Sequence, residues 1–437
     1  MNATDFRIDR IDEETLSTLG QYTFPQILSR QAERLGSDKT AIREKAYGIW
    51  QTYDWREYLR YTKCVALGLI SLGLKRGENV GLILDNHPEW LFSELGAQSL
   101  GAVTVPLFTS AVAKEQAFGL KRFYAAYVFA QDQEQVDKVL SLRDELPHVR
   151  GLIYVDPTGM RTYRDDPWLI SFAQLLELGE ELDQEQPELF IKEVWEGKPG
   201  DVALMMMTSG TTGEPKLVML SHENFNEMAR KWLETAPIGI GDNWISITPT
   251  AWIVDQMWGV GITLSGGMAM NFPETLETAV EDFREIGPTV IVTSSRFWED
   301  LASKIRVKIA DAGAIKRALY NMSQKIGGAV VDLESQKKPV PAKLKILSRL
   351  ASRIVSRPLM DRVGCLGFRG AYTGGHPISP DVIRFFRANG LNLKQCYGLT
   401  EAGGIFQVQP DDEVKPETVG TALPRTEIKI TEDQEVL

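Results

Sequence analysis

Short, uninterrupted apolar runs recur through the first third of the chain, at Val80–Leu84, Ala102–Pro106 and Ala125–Ala130. A strand that is buried on both faces needs such a run, and helices covering both sides of a parallel sheet bury strands in this way. Amphipathic segments separate the runs. Thr23 is placed to cap a helix reaching about Leu35, and Ile49–Tyr53 reads as a short strand. Asp54 and Glu57 make a capping box for a helix with Trp55, Leu59, Leu67, Ile70 and Leu72 on its apolar side. Pro88 opens the next helix, and two more are expected around Lys114–Phe123 and Glu134–Leu142. Strand–helix alternation of this kind predicts an α/β fold with right-handed crossovers. Residues 156–200, acidic and punctuated by Pro157, Pro167, Pro187 and Pro199, are expected to be an irregular surface connector. The strand Val202–Met207 then opens a second series, continued by Trp244–Thr248, Met268–Phe272, Thr289–Thr293, Phe368–Thr373 and Leu393–Tyr397.

The 437 residues carry 48 Lys/Arg and 59 Asp/Glu, a net charge of −11. This balance argues against a nucleic-acid partner, whose phosphates need a basic footprint. Cys64, Cys365 and Cys396 are odd in number and far apart, and read as reduced thiols of a cytoplasmic protein. The histidines at 87, 148, 222 and 376 form no H-x3-H pair, and no C-x2-C accompanies them, which argues against a zinc site built on local spacing. Met1–Glu14 has no apolar core of a signal peptide. The most apolar stretch, Trp258–Phe272, is 15 residues rich in Gly, Ser and Thr, too short and too polar to span a bilayer.

One segment departs from the acidic average. Residues 303–362 hold fourteen Lys/Arg and four Asp/Glu, a net of +10, which leaves −21 on the rest. It reads either as a solvated basic helical pair or as a surface for anionic lipid headgroups or cofactor phosphates.

The strongest local signal is MMMTSGTTGEPK, Met205–Lys216. An apolar strand runs into Thr208, Ser209, Gly210, Thr211, Thr212 and Gly213. Two glycines let backbone amides approach an anion, the hydroxyls add donors, and Lys216 adds charge. The pattern suits a polyphosphate, yet it is not the G-x4-G-K-[ST] loop of NTPases. Two later segments agree with it. Tyr397-Gly398-Leu399-Thr400-Glu401 closes a predicted strand, where ligands of open α/β sheets gather. There a Tyr ring can stack on a base, a Thr can contact phosphate and a Glu can hold Mg²⁺. Tyr372-Thr373-Gly374-Gly375-His376-Pro377 closes another strand, and Ser379 is placed to cap the following helix.

TSGTTGEPK, GGHPIS and YGLTE, in this order, resemble the adenylate-forming superfamily of acyl-CoA synthetases, peptide-synthetase adenylation domains and luciferases. The resemblance runs from about Thr23 to the end. It is closest to the long-chain acyl-CoA synthetases, through GENVGLILDNHPEW, GAVTVPLF, DQEQVDKVL and the basic insertion before GGHPIS. It implies the large N-terminal domain of these enzymes, with two mostly parallel sheets sandwiched with helices and a small β subdomain beginning at the C-terminal end. The expected divisions are 1–200, 201–418 with the basic insertion, and 419–437.

The resemblance also implies ATP-dependent conversion of a carboxylic acid, here a long-chain fatty acid, to acyl-AMP and then acyl-CoA, with ATP, Mg²⁺ and coenzyme A. Thr208, Ser209, Gly210, Thr211, Thr212, Gly213 and Lys216 would wrap the β- and γ-phosphates. Thr208 and Glu401 would hold Mg²⁺. Tyr397 would stack on adenine, lined by Gly374, Gly375 and His376, with Thr400 at the α-phosphate. Thr208, Lys216 and Glu401 are the catalytic candidates. Relatives often have a small residue where His376 stands. Gly398 would lie beside the acyl carbonyl, and Gly259, Gly261, Gly266 and Gly267 would leave room for a chain. Trp252, after Thr248-Pro249-Thr250-Ala251, either lines the acyl tunnel or packs in the core. The resemblance further implies a ribose-binding Asp, a hinge and a small domain with a catalytic Lys beyond position 437. The 437-residue chain is therefore expected to bind ATP and acyl-AMP but to turn over slowly or not at all. The other readings are an aryl-acid CoA ligase, an acyl-AMP ligase, and a non-catalytic nucleotide- or acyl-binding protein.

Overall fold

The computed structural model describes residues 11, 13–163, 165–208, 216–236, 238–275, 277–432 and 436. The chain forms two compact units, one of Ile11–Arg230 with Thr248–Phe272, the other of Lys231–Ile247 with Pro273–Leu437. The sequence expectation of a division near residue 200 falls elsewhere than this one, because the strand Val202–Thr208 is hydrogen-bonded into the sheet of the first unit.

In the first unit, β1 (Thr40–Ala46) and β2 (Ile49–Asp54) form an antiparallel hairpin. The main sheet comprises β3 (Asn79–Ile83), β4 (Val103–Pro106), β5 (Ala125–Ala130), β6 (Gly151–Tyr154), β7 (Leu169–Ser171), β8 (Val202–Thr208) and β9 (Lys216–Ser221). Their order is β7-β6-β5-β3-β4-β8-β9, parallel except for the closing β8–β9 pair. β4 and β5 are buried along their whole length, as their apolar runs require. β10 (Asn243–Ile245) lies in the second unit, and β11 (Ala269–Phe272) returns to the first and pairs parallel with β1.

Two of the predicted caps form as capping boxes. Thr23 and Gln26 close a capping box on α1 (Phe24–Leu35), and Asp54 with Glu57 on α2 (Trp55–Ser71). α3 (Pro88–Ser99) follows β3, with Pro88 in its first turn. The segment 156–200 is not the irregular connector its prolines suggested. It supplies β7, α4 (Phe172–Glu185) and a helix over Leu189–Glu196. Ser171 and Gln174 cap α4; Phe172, Leu175 and Gly179 are buried, Glu177, Glu181 and Glu185 are exposed, and half-buried Asp183 pairs with Lys63 of α2. Gly179 sets the approach of α4 to α2, since a Cβ there would lie 1.9 Å from the Cys64 carbonyl oxygen.

In the second unit, β12 (Val290–Ser294), β13 (Gly370–Gly374), β14 (Leu393–Leu399), β15 (Gly404–Val408) and β16 (Thr421–Ala422) extend from β10 in the order β10-β12-β13-β14-β15-β16. β10 to β14 run parallel, and β15 and β16 antiparallel. The core under this sheet centres on Trp298, which stacks edge-to-face on Phe386 at 5.1 Å and donates to the Tyr372 carbonyl at 3.2 Å. The basic segment is helical: α5 (Ser295–Ala310), α6 (Ala314–Ser335), α7 (Ala342–Ala351), a π-turn over Ser352–Ser356 and α8 (Arg357–Arg362). Ser379 occupies the N-cap of α9 (Pro380–Ala388), but its hydroxyl makes no capping bond. All three cysteines are free and buried. Burial pushes the Cys396 thiol up to about 12, despite the nearby Lys394. Among the described residues, no helix is long and apolar enough to cross a membrane.

Candidate functional site

In the second unit, parallel pairing places two of the motifs side by side. Thr373 on β13 is in register with Gln395 on β14. Gly374-Gly375-His376 and Tyr397–Glu401 therefore leave the same, carboxyl, edge of adjacent strands, where ligands of such sheets bind. Ser294, the last residue of β12, is in register with Gly374 and brings a third strand end to this edge. The sequence reading passed over it, although Thr293-Ser294-Ser295 closing an apolar run was the available signal.

Backbone packing fixes these turns. At Gly398 a Cβ would lie 2.2 Å from the Gly404 carbonyl oxygen, so β14 and β15 cross too closely for a side chain. Gly375 takes φ +82°, a left-handed conformation that glycine adopts freely. Tyr397 is half-buried and braced edge-to-face by Phe406 at 5.5 Å. Beneath Gly374, the Thr373 hydroxyl is buried without a hydrogen-bond partner among the described residues. Thr400 and Glu401 form a short 3₁₀ turn ended by Gly403 in the left-handed region. Glu401 is exposed and, among the described residues, pairs with no cation, so its carboxylate is a hard oxygen donor suited to Mg²⁺. His376 is exposed as well.

In the first unit, Thr208 and Lys216 are the opposed ends of the β8–β9 hairpin. They are the stem of the predicted phosphate loop. Ser209, Gly210, Thr211, Thr212 and Gly213 lie outside the described residues. Thr208 is half-buried and Lys216 exposed, so the stem presents one hydroxyl and one ammonium.

The same unit contains Thr248–Phe272. Asn86 holds its start, donating to the Thr248 carbonyl at 2.6 Å and accepting from the Thr250 amide at 3.2 Å. The Thr248 hydroxyl donates to Asp255 at 3.1 Å, and Gln256 donates to the Thr250 carbonyl at 2.9 Å and to Glu94 at 3.2 Å. Glu94 also accepts from Trp90 Nε1 at 2.6 Å and from Gln98 at 3.3 Å. Gln98 reaches the Ala203 carbonyl on β8 at 3.2 Å. This buried polar chain joins β8 to the loop before Trp252, and sequence reasoning missed it because its members are scattered over positions 86–256. Burial, opposed by these donors, pushes the Glu94 carboxyl up to about 7. Trp252 is half-buried, whereas Trp258 is fully buried. The backbone turns through a π-helix over Gln256–Ile262, a form common at functional sites. A Cβ at Gly259 would meet Met270 Cε, the end of a flexible side chain, at 2.9 Å and Asp255 Oδ2 at 3.1 Å, while at Gly261 the nearest atom would be 3.7 Å away.

The sequence is 25% identical over 433 residues to a long-chain-fatty-acid–CoA ligase of Xenopus laevis, covering 96% of this chain and 57% of that protein. It is 27% identical over 440 residues to another of Bos taurus, covering 98% and 58%. The chain thus spans less than two thirds of the length of these curated relatives. Among solved structures, a long-chain-fatty-acid–CoA ligase from Archaeoglobus fulgidus superposes with a TM-score of 0.68 at 18% identity, covering 95% of this chain and 72% of that one. A fatty acyl CoA synthetase of Mycobacterium tuberculosis gives 0.67 at 19% identity, covering 96% and 68%. These likenesses show the fold, a mixed α/β architecture with two mostly parallel sheets like that of the large N-terminal domain of adenylate-forming enzymes. The family model described as AMP-binding enzyme matches residues 28–436. The chain belongs to the AMP-binding enzyme family.

Proposed function

We propose that this chain binds ATP and a carboxylic acid, a long-chain fatty acid in the first instance, and serves their conversion to acyl-AMP and then, with coenzyme A, to acyl-CoA. The observation that carries the reading is the parallel register of β13 and β14, which presents Gly374–His376 and Tyr397–Glu401 on one edge. In this reading Tyr397 stacks on adenine and the Gly374–His376 backbone lines it. Thr400 contacts the α-phosphate. Ser209 to Gly213 and Lys216 wrap the terminal phosphates, and Thr208 and Glu401 are the ligands of Mg²⁺. Mg²⁺ held by these residues would supply charge neutralisation to the phosphates. Trp252, Gly259 and Gly398 are the proposed acyl-side positions, and residues 419–437 the start of a small β subdomain.

We assign the protein to the cytoplasm, with peripheral contact between the basic helices and anionic lipid. What supports the contact is a set of exposed apolar side chains, Met322, Ile346, Leu350 and Ile354, among Lys343, Lys345, Arg349 and Arg353. Co-sedimentation with anionic and neutral vesicles at low and high salt tests it. Equal binding to both would reject it.

The substrate reading is tested with stable acyl-sulfamoyl-adenosine analogues, scored by the rise in thermal midpoint, which needs no turnover. Chains of 12 to 18 carbons are expected to stabilise more than hexanoyl or benzoyl. Each methylene that an apolar site accepts contributes roughly 1 kcal/mol. A preference for benzoyl would replace the fatty acid with an aryl acid.

A further inference from the structure

Glu44, His87 and Glu89 converge in the first unit. Glu44 lies on β1, His87 is the N-cap of α3, and Glu89 stands in its first turn. One ligand atom from each lies within 4.8 Å of the other two, and His87 Nδ1 is 2.7 Å from Glu44 Oε1. All three side chains are half-buried. The cations beside Glu44 in sequence are engaged elsewhere, Arg43 with Asn271 Oδ1 at 2.9 Å and Lys45 over the Trp50 ring at 5.8 Å. Among the described residues, no lysine or arginine forms an ion pair with Glu44 or Glu89. Two carboxylates thus share one imidazole, which even as a cation balances only one of them. The N-terminus of α3 adds about half a positive charge.

A divalent ion resolves this imbalance. One imidazole nitrogen and two carboxylate oxygens form a donor set for Zn²⁺ and its first-row neighbours. With metal–ligand bonds of about 2.0–2.1 Å, tetrahedral donors stand roughly 3.3 Å apart, so small side-chain rotations close the observed triangle around an ion. We propose that Glu44, His87 and Glu89 bind one Zn²⁺-class divalent ion, leaving a fourth position to water. The site is invisible to a search for local His or Cys pairs, because Glu44 comes from a strand 43 residues away from His87. Its place in the fold suggests a consequence. The ion ties β1 to the entry of α3, next to Asn86, which holds Thr248 and Thr250. The proposal is independent of acid activation.

The test is equilibrium dialysis of the chelator-stripped chain against buffered free Zn²⁺, with the bound metal counted by elemental analysis. One Zn²⁺ per chain is expected at micromolar or lower free metal, bound at least about tenfold more weakly by Glu89→Gln and His87→Gln, whose folds are checked by circular dichroism. No uptake by the unsubstituted chain, or unchanged affinity in either folded variant, would overturn the proposal. A second measurement needs no variant. Zn²⁺ should protect His87, but not the exposed His148 and His376, from diethyl pyrocarbonate, and equal modification of all three with and without metal would also overturn it.

Discussion

The strand edge at Gly374–Glu401 and the loop at Thr248–Gln256 hold functional candidates by opposite means. At the first, backbone contacts set the geometry: β14 touches β15 at Gly398, and the side chains offered to a ligand, His376 and Glu401, are exposed. At the second, side chains set it, with buried Glu94, Asp255 and Gln256 and half-buried Asn86 hydrogen-bonded around the loop. Side-chain substitutions at the strand edge should therefore change ligand binding with little effect on stability. Substitutions in the buried chain should change stability first.

The largest expected effect tests the backbone half of this contrast. Gly398→Ala must push a methyl against a carbonyl oxygen 2.2 Å from its ideal position. We expect a loss of about 4 kcal/mol, read as a collapse of the thermal midpoint or of soluble yield. A variant as stable as the parent would mean that β14 and β15 do not cross closely.

Next comes Glu94. Its folded pKa of about 7 lies above the 4.5 of an ordinary glutamate, so the folded state keeps a proton that the unfolded state has released between those values. Stability should fall as pH rises from about 4.5 to about 7 and level off above, by up to roughly 3 kcal/mol. Among the described residues the buried carbonyl oxygens of Gln98 and Gln256 accept no hydrogen bond, so turning either amide gives the protonated Glu94 an acceptor. Glu94→Gln should thus be about as stable as the parent at pH 5 and more stable at pH 8, by urea unfolding at the two pH values. A variant destabilised equally at both would show Glu94 to be ionised throughout.

A smaller effect is expected at Tyr397. Tyr397→Leu keeps part of the contact with Phe406 and should cost about 1 kcal/mol of stability, while weakening ATP binding about tenfold by calorimetric titration. Loss of stability without loss of ATP affinity would make this ring a packing residue and blur the contrast.

Much of the fold was readable because buried parallel strands and capping boxes are local signals. Val80–Leu84, Ala125–Ala130, Thr23 with Gln26 and Asp54 with Glu57 depend on neighbours a few residues apart. The segment 156–200 was misread because its prolines flank α4 and do not interrupt it, and its burial comes from α2, which no local pattern records. The motifs on β13 and β14 could be found in sequence, but their adjacency comes from sheet order. The polar chain from Ala203 to Thr250 and the Glu44–His87–Glu89 triangle join distant positions, and each residue alone resembles an ordinary polar side chain.

Glu401, just beyond the end of β14, is exposed and forms no ion pair among the described residues. The direct measurement is calorimetric titration of the parent chain and Glu401→Gln with ATP, with and without Mg²⁺. The parent should bind Mg²⁺-ATP at least about tenfold more tightly than ATP alone, a difference of about 1.4 kcal/mol. Glu401→Gln should lose that difference at an unchanged thermal midpoint. A variant that keeps the full Mg²⁺ enhancement would contradict the assignment of this strand edge as the nucleotide site.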